Sequence, residues 1–487
     1  MLFLMVVNLY ASRVVLNVLG VEDYGIYNVV GGVVAMLGFL NAAMTASTQR
    51  YITFELGRGN IDRLKQVFST SFNIHIIISI AIIVLGETIG LWFLNEKLVI
   101  PTDRFYAAFI VYQMSIISTV ISILSYPFNA EIISHEKMSA FAYISIFEAT
   151  MKLAAVIALA YFSFDKLVIY ASSLTLIQGI VGMSYYLYCK SYFVEIVFDK
   201  IRDKSLFKEM LSFASWNLWG NLAAILFGQG LNILLNIFFG PAVNAARAVS
   251  VQVQGAIQQF SSNFQMALNP QITKNYAIGR LDDMHLLIYR SSRFSFYLLL
   301  VLCLPVLFET EYILTIWLKN VPQYSVIFIR IMIITMIIDS TSNPLMVSAQ
   351  ASGNIKKYQT IIGMILLAIL PVSYVVLKCG YEPWSVFVVH LCICIIAFVA
   401  RLFIIKPLIM LDLYRYFNQV ILKITFVVVS AVICCFVSTF IISNGAWGPI
   451  INIVFCGITS LICCLFIGLD RHERSFIMSR FTKYLNK

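Results

Sequence analysis

Charged residues are scarce in this sequence, making up only 12% of its 487 residues. A soluble domain carries roughly 25% charged residues. With 60% hydrophobic residues and a mean hydropathy of +0.87, the chain has too little polar surface to cover a soluble fold of this size. The composition therefore excludes a soluble globular protein and predicts a membrane protein.

Motifs of enzymes and of metal sites are also missing. The sequence has no HExxH, P-loop or GxSxG motif, no paired-carboxylate motif, and no CxxC among its ten cysteines. The five histidines are scattered, and most cysteines lie inside apolar runs, where they are typical small packing residues. We therefore predict that the protein is not an enzyme and has no cofactor, metal site or redox role.

The net charge of +10 does not indicate a nucleic-acid partner. Lysine and arginine lie in short segments between apolar runs, which is the pattern of topology signals rather than of a basic binding face. We therefore expect membrane lipids, and no nucleic acid, among the partners of the protein.

The apolar runs predict an all-α membrane protein with about fourteen transmembrane helices, because one span needs about 20 mostly apolar residues. The chain opens in an apolar run without a basic leader or a small-residue cleavage site, so we interpret its start as a membrane helix and not as a removable signal. The predicted helices cover residues 1–18, 25–48, 67–94, 105–127, 140–162, 166–188, 211–239, 244–268, 286–308, 323–347, 358–377, 384–405, 418–442 and 449–469.

The distribution of lysine and arginine predicts the orientation of these helices. With the N-terminus inside, the inner segments hold 25 of these residues and the outer segments hold 5. Cytoplasmic loops carry the excess of positive charge in membrane proteins. We therefore expect both termini in the cytoplasm, and the short outer loops leave no room for an outer domain.

An internal repeat predicts two lobes. At an offset of 220 residues Gly20 aligns with Gly240, Gly59 with Gly279, and Asp62 with Asp282, without a gap. An offset of six helices is even, so the halves run in the same direction, as in two-lobed transporters with parallel repeats. The predicted organisation is an N-lobe (1–188), a cytoplasmic linker (189–210), a C-lobe (211–417), an added helix pair (418–469) and a cytoplasmic tail (470–487), that is, two pseudo-symmetric six-helix lobes plus two extra C-terminal helices.

Polar side chains form stripes on the helices that begin the two halves. Lipid tails penalise such faces, so we expect them to point inward. Two interpretations stay open, namely hydrogen bonding between packed helices and a wet cavity between the halves. The candidate cavity residues are Asn8, Ser12, Asn217, Asn221, Asn232, Gln252, Gln259 and Asn263.

Charges inside apolar helices are costly and often functional. Arg13, Arg50 and Arg247 are candidates for binding an anionic group, with snorkelling at helix ends, or an ordinary positive-inside role for Arg50, as the alternative. A planar guanidinium suits a diphosphate, because it donates two parallel hydrogen bonds.

Three further charges are candidates for coupling or structural roles. Glu148 and Lys152 are one turn apart and can neutralise each other. Asp339 could either carry a coupling cation or pair with Arg330.

Two runs of the sequence resemble a known family. Residues 19–32 read LGVEDYGIYNVVGG and residues 135–143 read HEKMSAFAY. Both resemble the polysaccharide-transporter branch of the multidrug/oligosaccharidyl-lipid/polysaccharide (MOP) flippase superfamily, which includes Wzx-like O-antigen flippases. The expected topology agrees with this family over essentially the whole chain.

The resemblance implies a bacterial inner-membrane flippase that works by alternating access. Its implied cargo is an oligosaccharide on an undecaprenyl diphosphate carrier, such as a repeat unit of O-antigen, capsule or exopolysaccharide. Related lipid II flippases use arginines in helices one, two and eight of a central cationic cavity, and Arg13, Arg50 and Arg247 occupy comparable predicted helices. Other polysaccharide assembly proteins are implied as further partners.

Three other functions are retained as alternatives. A cation-coupled multidrug exporter of the same superfamily would depend on Glu148 or Asp339 more than on the arginines. A membrane polysaccharide polymerase or ligase would need a substantial outer loop, which the predicted topology lacks. A structural partner in a polysaccharide assembly complex is the third alternative.

Overall fold

A computed structural model describes residues 14–15, 18–19, 23, 26–27, 30–31, 39–96, 100–159, 164–198, 203–318, 321–442 and 447–475. These residues form helices and short connections, and none of them lies in a β-strand. The prediction of an all-α fold is therefore confirmed. The chain divides into two compact units, Met1–Asn221 and Leu222–Lys487.

The first unit holds seven numbered helices, the last of which continues beyond it. A π-helical turn at Gly86–Gly90 joins the second of these helices to the third. The helices are α1 (Phe39–Arg58), α2 (Ile61–Leu85), α3 (Leu91–Glu96), α4 (Phe105–Ser134), α5 (Met138–Ala158), α6 (Lys166–Tyr192) and α7 (Lys204–Phe239).

The second unit begins within α7 and continues through helices α8 to α18. Further π-helical turns at Phe417–Ile421 and Cys464–Gly468 adjoin its last helices. The helices are α8 (Pro241–Ala277), α9 (Leu281–Phe308), α10 (Thr310–Leu318), α11 (Ser325–Ser340), α12 (Ser342–Ala351), α13 (Lys356–Leu367), α14 (Ile369–Lys378), α15 (Ser385–Ile409), α16 (Leu413–Tyr416), α17 (Leu422–Ile442) and α18 (Gly448–Cys463).

Eleven helical segments of the described chain are long and apolar enough to cross a membrane, which makes this a multi-pass membrane protein. They match eleven of the fourteen predicted helices. The predicted first helix lies outside the described residues apart from 14–15 and 18. The predicted second helix overlaps α1 only in part, and the predicted eighth corresponds to α8, which is absent from the eleven apolar segments.

The linker predicted at 189–210 is much shorter in the structure. Helix α6 runs on to Tyr192 and α7 already begins at Lys204, so only residues 193–203 connect them. Asp203 explains the early start of α7, because its side chain accepts hydrogen bonds from the backbone N–H groups of Ser205 and Leu206. The hydropathy pattern did not predict the last turn of α6 or the first turns of α7, because these turns are polar and extend past the apolar runs.

The repeated glycines end corresponding helices in the same way. Gly59 and Gly279 have φ values of +69° and +76°, which favour glycine. In each case the next residue donates to a carbonyl five residues back and the glycine to one three residues back, which is the Schellman motif. The offset of 220 residues thus matches two identical helix ends, each followed by an Asp in the first turn of the next helix.

Each unit has its own apolar core. In the first unit Phe68, Phe128 and Val181 bring α2, α4 and α6 together. In the second unit, a larger cluster that includes Leu300 and Cys456 packs α9 against α11, α17 and α18. The added C-terminal helices are therefore part of the core of the second unit.

Candidate functional site

Arg247 is a buried cation near the start of α8. Its side chain is only 7% exposed. The guanidinium donates to the side-chain oxygen of Asn232 and, over 2.8 Å, to the main-chain oxygen of Gly228, both on α7. Among the described residues no carboxylate pairs with it. Its charge is therefore held by neutral acceptors alone, which leaves it able to attract an anion.

Asp339 and Arg401 form an ion pair between α11 and α15. Arg401 Nη1 lies 2.8 Å from Asp339 Oδ1, and the aspartate side chain is 50% exposed while the arginine is nearly buried. The suggested pairing of Asp339 with Arg330 is wrong, because Arg330 donates instead to the hydroxyl of Thr310. A charge pair inside an apolar helix costs less than either charge alone, so this contact is a favourable way to hold both side chains within α11 and α15.

His390 on α15 connects the surroundings of Arg247 and Asp339. Its ring packs on Phe227, with 5.1 Å between the ring centroids, and it lies within electrostatic range of both charges. Sequence reasoning treated it as one of five scattered histidines. In the described part of the second unit, His390 thus has within electrostatic range both a cation without a carboxylate partner and a half-exposed carboxylate.

Arg50 has different surroundings. It is nearly buried on α1, and its guanidinium lies over the rings of Tyr51, Phe54 and Phe213 at 4.3, 4.9 and 5.5 Å. Cation–π contacts of this kind attract a desolvated guanidinium to aromatic faces. Tyr51 also donates to Glu209 Oε1 over 2.9 Å, which fixes one of these rings. The geometry favours a packing role for Arg50, and diphosphate binding by it stays a prediction.

The polar residues of α7 are not equally accessible. Asn217 is buried, Asn232 is half-buried and accepts from Arg247, and Asn221 is exposed. The polar stripe predicted on α7 is therefore packed against the protein at Asn217 and accessible at Asn221.

Helix α8 has one packed face and one accessible polar face. Gln265 is buried and donates to Ser295 Oγ and to the carbonyl of Ser340, which anchors α8 to its neighbours. Gln252 and Gln259 are exposed, and Asn263 donates to the carbonyl of Gln259. Exposed amides are costly against lipid, so this face is suited to a water-filled path.

Two groups of predicted site residues remain to be placed. Asn8, Ser12 and Arg13 lie outside the described residues. Glu148 and Lys152 form an ion pair of 2.6 Å on α5, and both side chains are partly exposed. Each charge thus neutralises the other, and this geometry fits a structural pair.

Sequence reasoning missed three groups because their partners are distant in the chain. They are Arg401 with Asp339, Arg293 with Glu473, and His135 with Glu131 and Glu195. Only the four-residue spacing of Glu131 and His135 was visible in the sequence, because it places both on one face of a helix.

No family model matches the sequence, and no curated protein sequence matches it either. Solved structures of transporters do match its fold. A multidrug resistance MATE family transporter of the MOP superfamily in an outward-facing conformation has a TM-score of 0.70 and 12% identity, with 84% of this chain and 95% of that chain covered.

Two further structures give similar values. A MOP superfamily transporter from Pyrococcus furiosus, described as having a binding pocket of reverse polarity, has a TM-score of 0.69 and 11% identity, with 83% and 94% covered. The MATE transporter ClbM in complex with Rb⁺ has a TM-score of 0.68 and 16% identity, with 86% and 95% covered. At these identities the likeness shows the fold alone, and the chain has the fold of MATE transporters of the MOP superfamily.

Proposed function

We propose that this protein is a membrane transporter that moves an amphipathic substrate by alternating access. The observation that carries this proposal is the MATE-type fold, which extends over 83–86% of the chain in the three structures described above. The accessible amides of α8 support it, because an inward polar face in lipid requires water or a polar cargo beside it.

We further propose that the cargo carries negative charge, as a lipid-linked oligosaccharide does. Arg247 supports this proposal, because its buried guanidinium lacks a carboxylate partner among the described residues. A diphosphate would supply the missing charge and accept two parallel hydrogen bonds. The runs at 19–32 and 135–143, which resemble polysaccharide transporters, point to the same cargo. Asn232, Gln252 and Gln259 are suited to contact sugar hydroxyls.

Cation-coupled drug export is the second candidate, and the names of the structural neighbours favour it over the flippase. One of them is described as a multidrug resistance transporter, and another was solved with Rb⁺. Asp339 is the feature of this chain that fits such a role. Its carboxylate is half-exposed, and Arg401 occupies only one side of it.

The two candidates are separated by expressing the protein in two strains, one lacking a lipid-linked oligosaccharide flippase and one lacking drug exporters. For the flippase, we expect restored surface polysaccharide that Arg247→Gln reduces by about 10- to 100-fold, as for the loss of charge-assisted hydrogen bonds worth about 1.5–3 kcal/mol. Arg330→Gln is the matched control, because Arg330 is exposed and contacts Thr310.

For the exporter, we expect drug resistance that Asp339→Asn abolishes and Arg247→Gln leaves unchanged. Membrane protein levels are compared in all cases. Surface polysaccharide that is insensitive to Arg247→Gln contradicts an anionic cargo held by Arg247. Failure of the wild-type protein in both strains, across flippase substrates and drugs, contradicts the proposed transport.

A further inference from the structure

Two carboxylates and an imidazole converge at the carboxyl end of α4. Glu131 lies in the last turn of α4, His135 follows the last residue of that helix one turn later, and Glu195 lies in the connection 193–198 after α6. His135 Nε2 is 2.5 Å from Glu195 Oε1 and 3.7 Å from Glu131 Oε2. One ligand atom from each of the three side chains lies within 4.8 Å of the others.

Glu131 is the unusual member of this cluster. Its side chain is fully buried, and neither carboxylate oxygen has a hydrogen-bond partner. The 3.7 Å separation from His135 is too long for a hydrogen bond. No lysine or arginine among the described residues pairs with Glu131 or Glu195. A buried carboxylate that accepts no hydrogen bond costs several kcal/mol, and a cation between the three side chains would offset that cost.

The surrounding backbone holds the three groups in place. Phe193 stacks on the His135 ring, with 4.1 Å between centroids and 12° between planes. Glu136 has a φ of +59°, which is uncommon for a residue with a side chain, and it ends α4 directly after His135. The carbonyl of Glu195 accepts from the N–H of Val197 over 2.8 Å in a tight turn.

We propose that Glu131, His135 and Glu195 bind a divalent transition-metal ion, for which Zn²⁺ is well suited. Oxygen and imidazole nitrogen ligands bind Zn²⁺ at about 2.0–2.2 Å, which puts tetrahedral ligand atoms about 3.3 Å apart. The distances between ligand atoms in the cluster lie both below and above 3.3 Å, at 2.5 Å and 3.7 Å from His135 Nε2. Small side-chain rotations would therefore bring these atoms to the distances that a bound ion requires. Two carboxylates and a neutral imidazole balance a divalent charge, and water completes the four positions.

Such an ion would tie the connection after α6 to the end of α4. These elements share few other polar contacts in the described chain, whereas the stacked Phe193 and the buried Glu195 already lie against α4. The proposed role is structural and separate from the transport proposal, because Arg247, Asp339 and the amides of α8 belong to the second unit.

The test measures Zn²⁺ binding to the full-length protein in detergent after chelator treatment, by calorimetry and by metal content. We expect one Zn²⁺ per chain, a higher melting temperature with Zn²⁺, and affinity reduced at least tenfold in Glu131→Gln, His135→Asn and Glu195→Gln. His285→Asn and Glu148→Gln are matched controls, since these residues lie outside the cluster, and both should bind as the wild type does.

X-ray absorption at the zinc edge tests the ligand set without a mutation. We expect nitrogen and oxygen ligands only, so a Zn–sulfur contact would assign the metal to a cysteine elsewhere and overturn the site. Absence of stoichiometric Zn²⁺ binding by the wild type, or equal loss in His285→Asn, would overturn it as well. Because binding is read without transport, a failed transport assay and a failed metal site remain distinguishable.

Discussion

Two buried arginines on neighbouring helices of the second unit are held in opposite ways. Arg293 on α9 is 2% exposed, and its Nη2 lies 2.8 Å from Glu473 Oε1. Arg247 on α8 is also nearly buried, but among the described residues its hydrogen bonds go only to Asn232 and Gly228. One charge is neutralised inside the protein and the other is only solvated by neutral groups.

This difference separates a structural charge from one that suits a ligand. Glu473 also contacts Arg290, and Asp470 lies near Arg293, so the region around Arg293 is a closed network of opposite charges. Such networks bind no further anion without losing internal contacts. The region around Arg247 can gain a negative charge at no such cost, which is why we propose that Arg247 contacts the cargo.

The largest expected effect is on stability, at Arg293. Arg293→Met leaves Glu473 buried with Arg290 as its remaining cation. Removing one partner of a buried ion pair costs about 3–5 kcal/mol, and the contact with Arg290 puts the expected loss near the lower end. Melting of the purified protein in detergent measures it.

A double substitution tests the pairing itself. Replacing Arg293 and Glu473 together by apolar residues should recover much of the loss, because no buried charge is left without a partner, and Arg290, which loses its contact with Glu473, is 41% exposed. If the double variant is as unstable as the sum of the two single variants, Arg293 and Glu473 are not coupled.

Arg247 should show the reverse behaviour. Arg247→Gln leaves no carboxylate behind, and removing the buried charge also removes its desolvation cost, which offsets the loss of its hydrogen bonds to Asn232 and Gly228, so we expect melting within about 1 kcal/mol of the wild type. Transport should nevertheless fall by about 10- to 100-fold, for the reason given for the cargo. Measuring both properties on the same preparation sharpens the comparison. A stability loss as large as that of Arg293→Met would place Arg247 in the fold and not in the site.

The sequence predicted those parts of the fold that depend on local patterns. Apolar length identified the eleven spans, and the glycines at 59 and 279 marked identical helix ends because only residues near them are involved. The connection 189–210 was predicted too long, since polar helical turns resemble loops in hydropathy.

Local sequence patterns did not predict ion pairs between residues that are distant in the sequence. Asp339 was expected either to carry a coupling cation or to pair with Arg330, nearby on the same helix, whereas its partner Arg401 lies 62 residues later. Glu473 is 180 residues from Arg293, and Glu195 is 60 residues from His135. Periodicity places a residue on a face of its helix but does not say which helix lies opposite.

Two glycines extend the comparison to the backbone. The carbonyl of Gly468 accepts from Arg293, and a Cβ on Gly468 would lie 2.7–2.9 Å from three atoms of the Tyr297 side chain. The carbonyl of Gly228 accepts from Arg247, and a Cβ on Gly228 would meet no atom of the described residues within 4 Å. The first region is thus tightly packed and the second has open space.

Gly468→Ala is therefore expected to destabilise the protein by about 1–3 kcal/mol through overpacking. Gly228→Ala should be neutral or stabilise by up to about 1 kcal/mol, because alanine favours a helix interior. Melting curves of the two variants measure the difference. Equal destabilisation by both would contradict the open space beside Arg247.

The smallest expected effect is the pH dependence at the edge of the Arg293 network. Burial opposes ionisation of Asp470, but the hydrogen bond and charge of Lys423, at 2.6 Å, outweigh it and hold the pKa of Asp470 below its usual range. The contribution of this pair is therefore present above the ordinary aspartate pKa of about 3.9 and is lost as the pH falls through the lowered value. Lys423→Met should lower the melting temperature slightly at pH 7 and leave it unchanged in strong acid. Lys378→Met is the control, since Lys378 makes no ion pair in the described chain, and a similar pH-dependent loss there would remove Asp470 as the cause.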